Sequence, residues 1–286
     1  MTLRTIKTAL AATAILGCAF TGMTMADPVD EPMVIDGQNI TIRAPAPEFL
    51  KGVLPEVLSG WLYRDEDTRK MELDDFDNPG IIYADRARDQ WEVVDGTEGK
   101  ACVSCHESPE AMKGLRAVTP RVDPDSGKLM NIEAYVNKCR TERMGAEAWG
   151  DKSDHMMDML ALISLQSRGE IINVAMDGAA APFWEKGKEI YYTRYGLLEL
   201  SCANCHEQNN GKYIRSDHLS QGQTNGFPVY RLKDTKITSA QGRFVGCVRD
   251  TRAETFKIGS DEFNALELYV ATRGNGLAVE GVSVRH

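Results

Sequence analysis

The sequence predicts a mainly α-helical chain made of two tandem units related by duplication, preceded by an N-terminal extension. Three observations predict it. Two C-x-x-C-H motifs, Cys102-Val103-Ser104-Cys105-His106 and Cys202-Ala203-Asn204-Cys205-His206, lie 100 residues apart. Their flanks repeat as well, with a helix-compatible stretch before each motif and a lone cysteine, arginines and a periodic apolar segment after it. The length of 286 residues suits two domains. With 42% hydrophobic and 26% charged residues, the composition excludes a disordered tail, a collagen-like repeat and a polytopic membrane protein. A formal net charge of −9 argues against nucleic-acid binding, which needs basic surface to offset phosphates.

Residues 1–26 read as a secretory signal. Arg4 and Lys7 precede an apolar run from Ala9 to Phe20, and small residues end at Ala26. The run is too short to span a bilayer, and no later stretch is apolar enough to do so. Ile15-Leu16-Gly17-Cys18 loosely resembles a lipobox, although Leu16 is atypical there. Cleavage after Ala26 removes two cations and no carboxylate, taking the formal charge from −9 to −11. The mature chain is expected to be exported and soluble. Residues 27–50 form the extension, rich in proline and acids, with no counterpart in the second half.

The first unit is placed at 51–176. It should hold a helix within Ala84–Asp95, the first motif, the lone Cys139, and a closing helix from His155 to Leu165 that stops before Gly169. Met156, Met157 and Met159 read as the buried face of that helix, and His155 as a structural histidine. Asp177-Gly178-Ala179-Ala180-Ala181-Pro182 has linker composition. The second unit, 177–286, repeats the order: a helix over Trp184–Tyr192, the second motif, Cys247, and a closing helix from Phe263 to Ala271 before Arg273-Gly274.

C-x-x-C-H is the attachment signature of c-type haem. Cysteines three apart on a helical turn can form thioethers to the two vinyl groups of one porphyrin, and the histidine then lies beneath the ring. A zinc half-site or a thioredoxin-like pair explains one motif, but poorly explains two behind an export signal. Two covalent haems would also compensate for an aromatic content of only 7%. Each unit thus has the layout of a cytochrome c-like domain, with the motif near its start, the distal ligand in a middle loop and a closing helix.

Haem iron commonly takes Met or His as its sixth ligand. No methionine follows Met176. The second iron is left with His218, Cys247 and His286. His218 follows His206 by only 12 residues, and His286 sits on an end expected to fray; Cys247, 41 residues after His206, lies where a distal ligand belongs. In the first unit Met112, Met130 and Met144 compete with Cys139, which matches Cys247 by the repeat. A disulfide between Cys139 and Cys247 is the alternative. A thiolate ligand stabilises ferric iron, which suits sulfur chemistry better than relay between high-potential carriers.

The two cysteines differ in surroundings. Residues 228–257 hold seven basic groups against three acids, whereas 121–143 hold five against four. Such a patch can focus a small anion and favour a thiolate at Cys247. Arg243 lies four residues before Cys247 and shares a face with it if that stretch is helical, Gly246 leaves space beside the sulfur, and an arginine fork suits an oxyanion. Docking of an acidic partner, or neutralisation of haem propionates, would use the same charges.

Together with the leader and the lone cysteines, the run Gly242-Arg243-Phe244-Val245-Gly246-Cys247 resembles the SoxA family of the bacterial Sox thiosulfate-oxidising system, over nearly the whole mature chain. The resemblance implies a periplasmic heterodimer with a smaller monohaem cytochrome, SoxX. It implies an L-cysteine S-thiosulfotransferase that conjugates thiosulfate to a cysteine of the carrier SoxYZ and passes two electrons through haem to a cytochrome c acceptor. Mapped onto this sequence, Cys102, Cys105, Cys202 and Cys205 would attach two haems. His106 with Cys139 and His206 with Cys247 would be axial ligands. Cys247 would be the catalytic residue, bearing a persulfide, and Arg243 would bind the substrate. A plain dihaem electron carrier and a dihaem peroxidase are the competing functions.

Overall fold

The structure, a computed structural model, describes residues 28–286; the expected leader lies outside the described residues. Helical turns of all kinds make up 41% of the structure, and no strand among the described residues exceeds three residues. Strands β1 (Met33–Ile35), β2 (Gln38–Ile40), β3 (Arg43–Pro45) and β4 (Glu56–Leu58) lead to helices α1 (Glu66–Leu73) and α2 (Ile81–Trp91). The first motif forms α3 (Val103–His106). A hairpin of β5 (Arg121–Val122) and β6 (Leu129–Met130) precedes α4 (Ile132–Cys139) and α5 (Asp154–Leu165). The second half runs α6 (Ala181–Tyr192), α7 (Cys202–His206), β7 (Tyr213–Ile214), β8 (Asp217–His218), β9 (Val229–Arg231), β10 (Lys236–Thr238), α8 (Ala240–Asp250), α9 (Asp261–Arg273) and β11 (Ser283–Arg285).

Short polar side chains start these helices. Asp65, Asn131, Ser153, Ser239 and Ser260 each accept a hydrogen bond from an amide three residues on, at α1, α4, α5, α8 and α9 respectively. Such caps contribute about 1 kcal/mol each. At α6, Pro182 occupies the first turn, where its missing N–H costs nothing.

In each half the helix before the motif packs on the closing helix. Ala84, Ala87 and Trp91 of α2 meet Met156, Met159, Leu160 and Ile163 of α5, so the methionines form a buried face as expected. Trp184, Ile190 and Tyr191 of α6 meet Phe263, Leu266, Tyr269 and Val270 of α9, and this cluster also takes in Ala117 and Leu129 from the first half.

Between helix and motif the chain makes a tight turn, closed by bridges Asp95–Lys100 and Tyr195–Leu200. Gly96 and Gly196 sit there at φ +74° and +67°. A methyl group on Gly96 would stand 2.2 Å from the Met144 carbonyl oxygen, and one on Gly196 2.1 Å from that of Thr251. Both turns therefore press against the segment that follows a lone-cysteine helix.

Several boundaries depart from expectation. Helix α2 spans Ile81–Trp91 rather than Ala84–Asp95, because Asp95 turns back to accept from the Gly96 amide at 2.7 Å. Helix α5, by contrast, ends at Leu165 as expected, four residues before Gly169, in a turn whose Ser167 and Arg168 amides bond three residues back. Gly274 caps α9 with φ −93°, so it is not used for left-handed backbone. The middle loops expected to carry the distal ligands are helices: Cys139 ends α4 and Cys247 lies within α8. Their polar caps and the buried positions Ile132, Val245 and Val248 override the loop pattern, and Gly246 does not break α8.

The extension folds onto its own chain. Met33, Ile35, Ile40 and Ile42 pack with Trp61, Leu62, Tyr63 and Ala278, while β3 pairs with β4. Strand β11 pairs in parallel with β9, and the His286 carbonyl accepts from Arg231 Nε at 3.2 Å, so the end expected to fray is tethered.

Candidate active site

At the first motif, α3 presents Cys105 and His106, with Cys102 immediately before it, to a cavity of about 520 Å³. Trp91, Ile132, Val136, Met159 and Ile163 make its wall largely apolar, and Cys139 and Arg143 also line it. Burial pushes the Cys139 thiol up, with Arg143 opposing, and burial likewise raises Cys102, with Arg140 opposing and the Cys139 charge adding to the rise. Met112 and Met144 also line this cavity. The residues fit a covalently held porphyrin: a large apolar space, two sulfurs from one helical turn, an imidazole, and further sulfur donors lining the same cavity. His155 is structural, stacked on Trp149 and bonded to Gln90 Nε2 at 2.8 Å.

At the second motif Ser201 and Asn204 form a reciprocal cap that fixes α7. Burial, reinforced by the charge of Cys247, pushes the Cys202 thiol up to about 12, and burial with the same Cys247 charge raises Cys205. Three sulfurs thus converge beside His206. The His206 Nδ1–H donates to the Ser220 carbonyl at 2.8 Å. A methyl group on Gly222 would stand 2.7 Å from the His206 ring. Carbonyl and glycine together fix the ring and its tautomer, so Nε2 keeps its lone pair. Burial brings His206 down to about 4, with the Ser220 carbonyl opposing and the Arg243 charge assisting, so the ring is neutral and fit to bind iron.

A cavity of about 140 Å³ beside this motif holds His206 and Cys247 together. His206 and Cys247 give it a nitrogen and sulfur donor pair suited to haem iron, and no methionine lines the cavity. Among the competing histidines, His218 gives Nε2–H to the Gly211 carbonyl at 3.1 Å and stacks on Tyr213. The Nε2 of His286 is bonded to Asp65. Cys139 and Cys247 are both free thiols lining different cavities, which excludes the disulfide between them.

Arg243 lies one turn before Cys247 on α8. The strongest influence on its guanidinium is the Cys247 charge, which raises it against the effect of burial. The Arg243 Nη1 occupies the space beside Gly246: a methyl group there would come within 3.3 Å of it. In the first half the matching position is Tyr135, whose ring Arg121 covers at 5.1 Å.

The positive hollow is not built as the charge count suggested. Of the basic residues in 228–257, only Arg231 and Arg243 line the cavity; Arg64 and Arg285 join from distant parts of the chain. Arg64 pairs with Asp217 at 2.8 Å, Arg231 with Asp234 at 2.5 Å, and Arg285 with Glu72 and Glu280. Among the described residues Arg243 has no such carboxylate. Sequence reasoning missed Arg64, Arg285, Ser220 and Gly222. Neither a carbonyl acceptor nor an arginine brought in by a crossing strand leaves a local pattern.

Comparison with known proteins agrees with this geometry. The L-cysteine S-thiosulfotransferase subunit SoxA of Paracoccus pantotrophus is 62% identical to this chain over 98% of both proteins. The chain belongs to the SoxA family. The SoxA subunit of Rhodovulum sulfidophilum is 52% identical over 97% of each. Residues 86–172 match the family described as SoxA/TsdA, cytochrome c domain, which makes this SoxA relative a c-type cytochrome with covalent haem. A chain of the crystal structure of SoxXA from P. pantotrophus superposes with a TM-score of 0.89 at 63% identity, covering 91% of this chain and all of that one. No helix among the described residues is long and apolar enough to cross a membrane.

Proposed function

We propose that this chain is the catalytic cytochrome subunit of an L-cysteine S-thiosulfotransferase. It conjugates thiosulfate to a cysteine of a SoxYZ-type carrier and works as a heterodimer with a SoxX-type monohaem cytochrome in the periplasm, after cleavage of residues 1–26. The chain comprises two cytochrome c-like domains, 51–176 and 177–286, descended from one by duplication. The paired glycine turns and the paired cysteine-bearing helices support this reading. Two haem c groups are attached, at Cys102 and Cys105 and at Cys202 and Cys205. His106 with Cys139 and His206 with Cys247 are the axial ligands. When bound, the second haem supplies the exit for the two electrons released on conjugation, toward a cytochrome c acceptor.

Within the second domain, Arg243 binds the thiosulfate oxygens and orients the sulfane sulfur toward Cys247. Cys247 carries a persulfide whose outer sulfur remains available for reaction. Ser220 and Gly222 hold His206 in the orientation its role requires. The observation that carries this reading is an arginine with no carboxylate partner among the described residues, one turn from a free cysteine in the cavity that also holds His206.

The test replaces Cys247 with Met. Loss of conjugation with electron transfer retained supports catalysis at Cys247; retained conjugation would remove Cys247 from the catalytic role and leave it an iron ligand alone. Mass spectrometry of the mature protein counts the haems and reads an extra sulfur on the Cys247 peptide.

A further inference from the structure

Joining thiosulfate to a thiol releases a proton as well as electrons. The S–H bond of the carrier cysteine breaks and an S–S bond forms to the sulfane sulfur. Two electrons leave through haem to the acceptor, and one proton must go to a base. Nothing in the roles given above supplies that base. His206 and Cys247 are assigned to iron and Arg243 to the anion.

The cavity holding Cys247 contains one further imidazole with a carboxylate behind it. His286 Nε2 lies 2.6 Å from Asp65 Oδ2. Thr68 fixes that carboxylate, its amide donating to Oδ1 at 3.0 Å and its hydroxyl to Oδ2 at 2.8 Å. Burial would raise Asp65, but Thr68 and His286 together bring it down to about 2, so it is ionised. An ionised carboxylate only accepts, so Nε2 carries the hydrogen and Nδ1 the lone pair. Nδ1 has no hydrogen-bond partner among the described residues. The side chain is 47% exposed, open to an incoming carrier. The other spare histidine of the cavity, His218, is buried, stacked on Tyr213 and met edge-on by Tyr63.

We infer that the His286–Asp65 dyad is the general base of the conjugation: Nδ1 of His286 takes the proton from the carrier thiol, and Asp65 holds the ring and stabilises the imidazolium. This rests on the function proposed above. The charges facing His286 are compatible with it. Arg64 from the segment before α1 is offset by Asp217 on β8, and Arg231 on β9 by Asp234. Arg285, its chain neighbour, turns away to Glu72 and Glu280. Among the described residues of this cavity that leaves Arg243 on α8 as the arginine without a carboxylate partner, and the arriving thiosulfate dianion offsets it.

The test follows conjugation of thiosulfate to the carrier by mass spectrometry, from pH 6 to 9, with the haem-loaded, partner-bound protein. His286→Gln keeps a donor for Asp65 and removes the base. It should conjugate about 10²-fold more slowly at pH 6.5. The deficit should shrink to about threefold at pH 9, where a free thiol, ordinarily at about 8.5, supplies its own thiolate. Asp65→Asn keeps the cap of α1 and should show a smaller deficit, about tenfold, with the same dependence on pH. A deficit that stays constant across pH, or none, overturns the dyad while wild-type conjugation upholds the function. A wild-type protein that does not conjugate overturns both.

Discussion

A guanidinium at a cavity wall is useful to a substrate only if its donors are not already committed. Arg64, Arg231 and Arg285 each meet carboxylates, so an arriving anion would have to compete with a built-in one. Arg243 meets none among the described residues, and its nearest charged influence is Cys247 itself. Arg243→Ala should therefore lower kcat/KM for thiosulfate by about 10²-fold, the order expected when one partner of a charged hydrogen-bonded pair is removed. The haem absorption spectrum should be unchanged, because Arg243 does not carry the ring. Arg243→Lys should recover part of the loss, since ammonium supplies charge without the planar fork. An unchanged kcat/KM in Arg243→Ala would remove this residue from the site. At this scale the sequence was informative wherever chemistry is local: cysteines three apart, a histidine after them, an arginine one turn before a cysteine. It was silent on Ser220 and Gly222, because a carbonyl acceptor has no side chain to recognise and a glycine beneath a ring looks like any loop glycine.

The helices that carry the two lone cysteines are joined through one buried carboxylate. Glu267 on α9 accepts from Asn131, the cap of α4, at 3.2 Å and from Gln241 in the first turn of α8 at 2.8 Å. Glu133 on α4 is buried near it, and Arg116 lies in the same polar pocket, donating to the carbonyls of Phe227 and Thr224. Burial, and then the charge of Glu267, raises Glu133 from 4.5 to about 8. Between those values the folded protein holds a proton that the unfolded chain has released. Stability from this group is therefore complete below about pH 4.5 and declines as pH rises toward 8, by at most about 1.4 kcal/mol per pH unit. Urea midpoints at pH 5 and pH 8 check this: Glu133→Gln should show a smaller drop between them than wild type, and an equal drop would place no proton on Glu133. None of this junction was legible beforehand. Periodicity located α5, α6 and α9 because each buries a long apolar face. It did not establish α4 or α8 as helices: the Cys247 stretch reads as a loop position whose Arg243 and Cys247 share a face only if it is helical, because short patterns, polar caps and a glycine are ambiguous.

At the scale of the whole molecule, the segment 277–285 is gripped from three directions. The extension holds it through the Ala278 amide and the Thr41 carbonyl at 2.8 Å, and residues 169–172 of the first half bond Val279 and Leu277. Strand β9 and the carboxylate of Glu72 hold Val284 and Arg285. Leu277, Ala278, Val279, Val282 and Val284 are all buried as a result. Two-residue and three-residue strands have no period long enough to read, so a proline-rich and acidic extension gave no sign of where it packs. Its destination matters because this segment delivers Arg285 and His286 to the cavity of Cys247. Met33, Ile35, Ile40 and Ile42 are each at least 94% shielded from solvent, a burial that stabilises by roughly 1.5–3 kcal/mol per side chain. A mature chain lacking 28–45 should thus release 277–285 first: protease should cut there faster than in the full chain, and conjugation should fall by at least tenfold. Haem attachment at Cys102 and Cys105, whose cavity is built from α2, α3, α4 and α5, should persist. Equal protease resistance in the shortened chain would show that β9 and Glu72 hold the segment without the extension. Loss of the first haem instead would mean that the halves fold as a single unit rather than as the two domains proposed.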